Sequence, residues 1–447
     1  MSFARKFEKI LKGLLPSPFT IAILLTFLTF ILALCITTPN TKENHFIQLL
    51  QFWEQGLWNS PLLVFAIQMM LMLVLGHVLA LSSPITTLIK KGTRYCNTTA
   101  SAAAIITFFT ILVSLFNWGL GLIFGAIFAR KVGEEASNNG IKLNYPLIGA
   151  SGYSGLMVWH GGVSGSAPIK IAEEGHFLAE KIGVISQSET IFSTMNISIS
   201  LVLLISLPLL MFFLGKKNPG CLINLQKTEI QEDITINGAE VLDHSKIIAW
   251  GSGGIILFYA FYKAFILPNS ISLTVITPNY INLVLLGLAI VMHNNFFNFL
   301  KAVDSAIGGA AGILIQFPLY FGIMGIMSSS GMVHLMSDFF VSISNETTFP
   351  IFTFISAAIV NVFVPSGGGQ WAVQGPIIVD AAMQLGVNIP KIVMSLAYGD
   401  QITNMLQPFW ALPLLGITGL KAKEILPYSL ILLIVGTVIF IGGILIY

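Results

Sequence analysis

Charge is scarce in this chain. Asp, Glu, Lys and Arg make up 9% of its 447 residues, against about a quarter in a soluble domain. Cysteine is nearly missing, and Cys35, Cys96 and Cys221 lack metal-ligand spacing; they are expected to be unpaired small packing residues. No HExxH or Gly-x-Ser-x-Gly motif occurs, and the histidines are scattered, so the residues supply no metal site or activated nucleophile and the protein is expected not to be an enzyme and to need no cofactor. The net charge of +2 says nothing about nucleic acid, and the 22 basic residues never cluster on a soluble basic surface, so no nucleic-acid partner is expected.

What fills the chain is apolar sequence, 55% of the residues. Uncharged runs such as Phe19 to Ile36, Gln55 to Ile89 and Tyr428 to Tyr447 are each long enough to span a bilayer. Arg5, Lys6, Lys9 and Lys12 precede the first run as in a signal peptide. No small-x-small cleavage site follows, and Leu34 spoils a lipoprotein site at Cys35, so a retained first span is expected.

Two runs have an awkward length. Thr98 to Ala129 and Thr347 to Val379 carry no charge and break at Asn117-Trp118-Gly119-Leu120-Gly121 and at Asn361 and Pro365-Ser366-Gly367-Gly368-Gly369. A single helix over the first would be about 48 Å long, too much for a core of roughly 30 Å, and two full spans need about 40 residues. Each therefore reads as a half-depth hairpin. Exposed backbone at that depth survives only beside protein or a water-filled cavity, so the breaks point to a transport site.

Self-alignment at one offset pairs Asn117 with Asn361, Gly125 with Gly369, Pro146 with Pro390 and Gly155 with Gly399, which makes each half a repeat of spans, hairpin and broken span. Spans are expected near 19–36, 60–82, 145–163, 190–214, 247–265, 281–300, 305–327, 390–411 and 425–446. With the N-terminus cytoplasmic, only Lys42, Lys170, Lys181, Lys263 and Lys391 of the 22 basic residues fall outside, as the positive-inside rule requires. The connecting span at 247–265 inverts the second half. The expected fold is thus an all-α polytopic membrane protein of about nine spans and two re-entrant hairpins. Residues 1–214 form the first inverted repeat, with its hairpin at about 98–130. Residues 215–246 form a cytoplasmic linker, and 247–447 hold the connecting span and second repeat, with its hairpin at about 347–382. The C-terminus lies outside.

Polar residues near the breaks are the site candidates. Asn117, Trp118 and Gly119 form the first tip. In the second, the run Pro365 to Gln370 reads as irregular backbone whose amides form an anion nest. The following spans break at Trp159-His160-Gly161 through Ser164-Gly165-Ser166-Ala167-Pro168, and at Tyr398-Gly399-Asp400 through Pro408. Asp400 is the sharpest signal, because a carboxylate between apolar stretches needs a cavity, a cation or a proton. Asn404 follows one turn later, and His160 adjoins the other break. His77, His293 and His334 are expected to pack or lie at an interface, and Glu173, Glu174 and Glu180 to be a solvated loop face.

Phe116-Asn117-Trp118-Gly119-Leu120-Gly121 with Phe128-Ala129-Arg130, Gly161-Gly162-Val163-Ser164-Gly165-Ser166-Ala167-Pro168 and Val364-Pro365-Ser366-Gly367-Gly368-Gly369-Gln370-Trp371 together resemble the bacterial short-chain fatty acid transporters, the AtoE-type family, over nearly the full length. The resemblance implies uptake of small monocarboxylates such as acetoacetate or butyrate across the bacterial inner membrane, in a fold similar to the ion transporter superfamily. A short anion needs a few donors beside an apolar wall. Substrate binding is therefore expected at Asn117, Trp118, Gly119, Ser164, Ser166, Asn361, Ser366, Gly367, Gly368 and Gln370, with Trp118 or Trp371 against the tail. Asp400, Asn404 and His160 are expected to couple a symported H⁺ or Na⁺. A carrier of another small organic anion, or an anion channel, stays open, as does a homo-oligomer.

Overall fold

The computed structural model describes residues 18–39, 44–223, 225, 238–268, 273–364 and 366–447. Among these the only β pairing is one bridge between Leu143 and Cys221; the rest is helix and connection. The first half runs α1 (Pro18–Ile36), α2 (His45–Leu57), α3 (Ser60–Ala80), α4 (Ser83–Thr93), α5 (Thr99–Phe116), α6 (Trp118–Asn138), α7 (Tyr145–Tyr153), α8 (Ser166–Ile171) and α9 (Thr194–Lys217). The second runs α10 (Lys246–Phe261), α11 (Pro278–His293), α12 (Phe296–Ile307), α13 (Ala311–Ser329), α14 (Met332–Ile343), α15 (Phe349–Phe363), α16 (Gly367–Leu385), α17 (Ile389–Ile402), α18 (Pro408–Thr418) and α19 (Ala422–Ile446). Among the described residues seven helical stretches are long and apolar enough to cross a membrane, and shorter apolar helices accompany them.

Helix pairs α5/α6 and α15/α16 are the two hairpins. The turn of the first is a single residue, Asn117, in extended conformation. Charge returns at Arg130 and Asp380, which lie 13 and 14 residues beyond the caps Asn117 and Ser366, or about 20 Å of helix. At those bases Glu134 bonds Arg130 and Lys131, both at 2.8 Å, and Asp380 bonds His334 at 2.8 Å and Lys181 at 3.4 Å. Neutral tips and anchored, charged bases suit chains that enter a bilayer and return.

The broken spans dock crosswise. Helix α8, which follows the first break, packs on α16 of the second hairpin, while α18, after the second break, packs on α6 of the first. Helix α3 lies against α6 and α13 against α16, so the two hairpin tips and both breaks share one interior.

Several expected boundaries move. The span at 281–300 is interrupted at Asn294, which takes a left-handed conformation (φ 65°) and stops α11; an Asn tolerates this at little cost. Helices α2, α4 and α14 do not appear in the expected span list, since each is too short to span. The offset of 244 holds at α7 and α17, where Asn144 and Asn388 cap and Pro146 and Pro390 follow, but it slips at the tips. Asn117 caps α6, whereas Asn361 lies inside α15 and the cap of α16 is Ser366. Of the linker, Asn224 and residues 226–237 lie outside the described residues; Cys221 is held to Leu143 by Leu143 N–H to Cys221 O at 3.0 Å and the return bond at 3.3 Å. All three cysteines are free, with Cys96 alone buried.

Candidate functional site

The tips are built by capping. Asn117 Oδ1 accepts the Leu120 N–H at 2.7 Å and Nδ2 donates to Met72 O at 3.5 Å, so both ends of its amide serve the turn. Ser164 Oγ accepts the Trp118 N–H at 3.0 Å, and Val163 N–H donates to Leu115 O at 2.8 Å, tying the first break to the first tip. At the second tip Ser366 Oγ accepts the Gly369 N–H at 3.2 Å. The triglycine is not the irregular nest expected from sequence: Gly367 to Gln370 is the first turn of α16. Packing overrides the entropic penalty of glycine here. A Cβ on Gly367 would sit 2.7 Å from the Trp159 indole, one on Gly368 3.0 Å from Phe65 and Phe317, and one on Gly369 2.6 Å from Tyr320. Only a bare helix end fits this aromatic cup.

Between the tips lies a small cavity lined by Trp118, Trp159, Trp410, Leu156, Met69, Ile313, Phe317, Ser166, Ser366, Gly367, Gly368 and Asn404. The N-termini of α6 and α16 both reach it, and such ends carry unpaired amides and partial positive charge. Trp118 meets Trp159 at 5.6 Å and the edge of Trp410 at 5.5 Å between ring centroids. The space is about 20 Å³, room for a single water.

Beside the cavity is a buried polar network. Asp400 is 1% exposed and His160 fully buried. Asp400 stands in the last turn of α17 rather than in the break, which is the 3₁₀ turn Thr403–Leu406. His160 Nε2 accepts the Ala167 N–H at 3.0 Å. That places the ring proton on Nδ1, which donates to Asp400 Oδ2 at 2.6 Å. Asp400 Oδ1 is buried with no partner, so among the described residues the carboxyl group is held at Oδ2 by the His160 ring and at Oδ1 by nothing. Asn361 Nδ2 donates to Asp400 O at 2.6 Å, Thr403 Oγ1 at 2.9 Å and Asn404 Oδ1 at 3.1 Å. Gln407 Nε2 donates to Asn361 O. The side-chain oxygens of Asn361 and Gln407 join Asp400 Oδ1 as buried acceptors without partners.

Of the residues singled out from sequence, Trp118, Ser166, Ser366, Gly367, Gly368 and Asn404 line the cavity. Asn117 and Ser164 shape the tip from behind, and Gly119 closes against Leu73, where a Cβ would lie 2.9 Å from its carbonyl oxygen. Asn361 stands at the second break. Gln370 turns away, bridging the hairpin arms through Ala357 O at 2.9 Å and donating to Gln374 of its own helix at 3.0 Å, and Trp371 packs on Phe177 rather than at the cavity. Sequence reasoning missed Trp410, Gln407 and Gln401, whose Oε1 accepts the His160 N–H at 2.8 Å. It also passed over Ala167 for want of a functional side chain, when the backbone N–H fixes the His160 tautomer. Glu173, expected to be solvated, is instead ion-paired to the buried Lys170.

Known proteins share this architecture. A solved transporter, YdaH of Alcanivorax borkumensis, described as having an unusual topology, superposes with a TM-score of 0.61 at 13% identity, covering 96% of this chain and 98% of that one. MtrF of Neisseria gonorrhoeae, described among antimetabolite efflux pumps, gives 0.60 at 14% identity, covering 98% and 97%. A relative from Escherichia coli K12 with a provisional name as a short-chain fatty acid transporter is 36% identical over 438 residues, 96% of each chain. One of the same name from Haemophilus influenzae is 36% identical over 445 residues, again 96% of each. The model of the short chain fatty acid transporter family matches residues 2–447. With hairpins, breaks and full-length relatives in agreement, this multi-pass membrane protein belongs to the short chain fatty acid transporter family.

Proposed function

We propose that the protein is a secondary carrier that moves a short monocarboxylate, of the acetoacetate or butyrate type, together with H⁺ or Na⁺ across the bacterial inner membrane. The observation that carries this reading is the cavity itself: two helix N-termini and two serines converge opposite three indoles, and no Lys, Arg, Asp or Glu lines it among the described residues. A single carboxylate suits the helix ends and the hydroxyls of Ser166 and Ser366. A dicarboxylate or phosphate would require a fixed cation at the wall. The alkyl tail lies against Trp118, Trp159 and Trp410. Because a four-carbon acid exceeds the available space, the tips or indoles part to admit it.

Asp400 supplies the reason for coupling. A buried carboxylate with an unpartnered oxygen costs several kcal/mol, and a proton or Na⁺ at Oδ1 removes the cost. An incoming anion then travels with a cation, and the two charges compensate within one site. The repeats are inverted on this reading, so Lys131→Cys and Gly386→Cys, at the open ends of the two hairpins, react with impermeant thiol reagents from opposite faces. In proteoliposomes the carrier reading requires saturable butyrate uptake and counterflow of labelled butyrate. Flux that never saturates and shows no counterflow favours a channel and overturns the reading.

A further inference from the structure

Lys170 sits on α8, four residues after Ser166, and is only 2% exposed. Its ammonium lies 2.6 Å from Glu173 Oε2 and 5.3 Å from the centre of the Phe65 ring. Glu173 Oε1 in turn accepts from Gln68 Nε2 on α3 at 2.7 Å and from Asn279 Nδ2 on α11 at 3.4 Å. The ion pair is therefore wedged between α8 and the wall formed by α3 and α11.

Two features connect it to the cavity. Positions four apart share a helix face at roughly 6 Å, which puts Lys170 one turn behind the cavity-lining Ser166. Phe65, which the ammonium covers, packs on Phe317 at 6.3 Å and lies 3.0 Å from where a Cβ on Gly368 would be; Phe317 and Gly368 both line the cavity. A buried ammonium is costly without an anion beside it. Glu173 fills that role here, yet it keeps two amide donors of its own if the ammonium turns away.

We infer that Lys170 is a specificity-determining residue, a cation shared between Glu173 and the carboxylate of the transported acid, with Glu173 as an internal competitor. This rests on the reading of the cavity as a monocarboxylate site. An acid entering at the Ser166 end draws the ammonium from Glu173, whose charge Gln68 and Asn279 then hold. Transport selects anions without a cation lining the cavity wall, and a neutral amide of the same length lacks the charge that draws Lys170 over.

The opposite signs of two substitutions test the idea. Uptake of labelled butyrate into proteoliposomes should show KM raised roughly tenfold in Lys170→Met, the size of a lost charge-assisted contact, because the acid loses the ammonium that it shares with Glu173. Glu173→Gln should instead lower KM by releasing the ammonium to the substrate, and Lys170→Arg should stay within a few fold of the parent. The double variant should remain worse than Glu173→Gln alone. A merely structural ion pair gives another pattern, in which both single changes raise KM and the double change restores it; that result overturns the inference. Should Lys170→Met fail to fold by thermal unfolding, the Glu173→Gln arm decides, and an unchanged or raised KM there also overturns it. A wild-type protein without saturable butyrate uptake defeats the carboxylate reading and this inference together, whereas normal wild-type uptake with both single variants shifted the same way defeats only the role of Lys170.

Discussion

The two hairpin tips occupy corresponding places in the fold but are finished differently. At the first, both ends of the Asn117 amide and the Ser164 hydroxyl are engaged, and Trp118 is offered to the cavity from a fixed turn. At the second, Asn361 Oδ1, Asp400 Oδ1 and Gln407 Oε1 are buried without partners. The first half has buried orphans too, the Trp118 and Trp159 indole N–H groups and the Ser114 hydroxyl, but those can donate, whereas the three around Asn361 are acceptors and suit a cation or a proton. On the proposed reading the first half supplies two of the three tail indoles, Trp118 and Trp159, and the second supplies the cation site at Asp400.

The largest effect should fall on Asp400. Asp400→Asn keeps the shape and removes the charge, so concentrative uptake should be lost while counterflow of labelled butyrate continues. If the variant still concentrates butyrate with the parent's ion dependence, the second tip has no privileged role. His160→Ala should come next, weakening coupled uptake by about 10- to 100-fold if the charge-assisted bond to Asp400 contributes about 1.5–3 kcal/mol.

Matched glycine substitutions sharpen the comparison. Gly367→Ala drives a Cβ against Trp159 and against His160 Cε1, at 2.7 and 2.9 Å, and should cut transport with a modest change in thermal stability. Gly119→Ala meets the backbone of Leu73 and should chiefly destabilise, by about 1–3 kcal/mol. Equal stability losses in both would erase the distinction between a structural and a working tip.

Smaller effects separate tail from cap. Trp118→Ala should weaken butyrate more than acetate, since each buried methylene contributes about 0.8 kcal/mol, and the ratio of their uptake constants reads this directly. Ser366→Ala should raise the butyrate KM, whereas Asn117→Ala should cost about 1 kcal/mol of stability as a lost cap and move KM less.

Much of the frame could be read from residues alone. The charge-free runs were too long for one span and too short for two, and that arithmetic located both hairpins. Gly and Pro at the breaks located both interrupted spans. What sequence could not supply is who meets whom across the chain: His160 with Asp400, 240 residues apart, or α8 on the opposite hairpin. Pairing Asn117 with Asn361 was reasonable by spacing, yet the loop lengths differ and Ser366 takes the cap. The charge count gives Lys170 a side of the membrane but no hint of its burial, which Glu173 and Phe65 make tolerable. Ala167 contributes only its amide, which no side-chain inventory can detect.

Butyrate accumulation in proteoliposomes, under a proton gradient and a sodium gradient imposed separately, is the most direct measurement. The account predicts accumulation above the equilibrium level with one of the two, collapsing when that gradient is dissipated and absent in Asp400→Asn. Equilibration without accumulation under either gradient would contradict it.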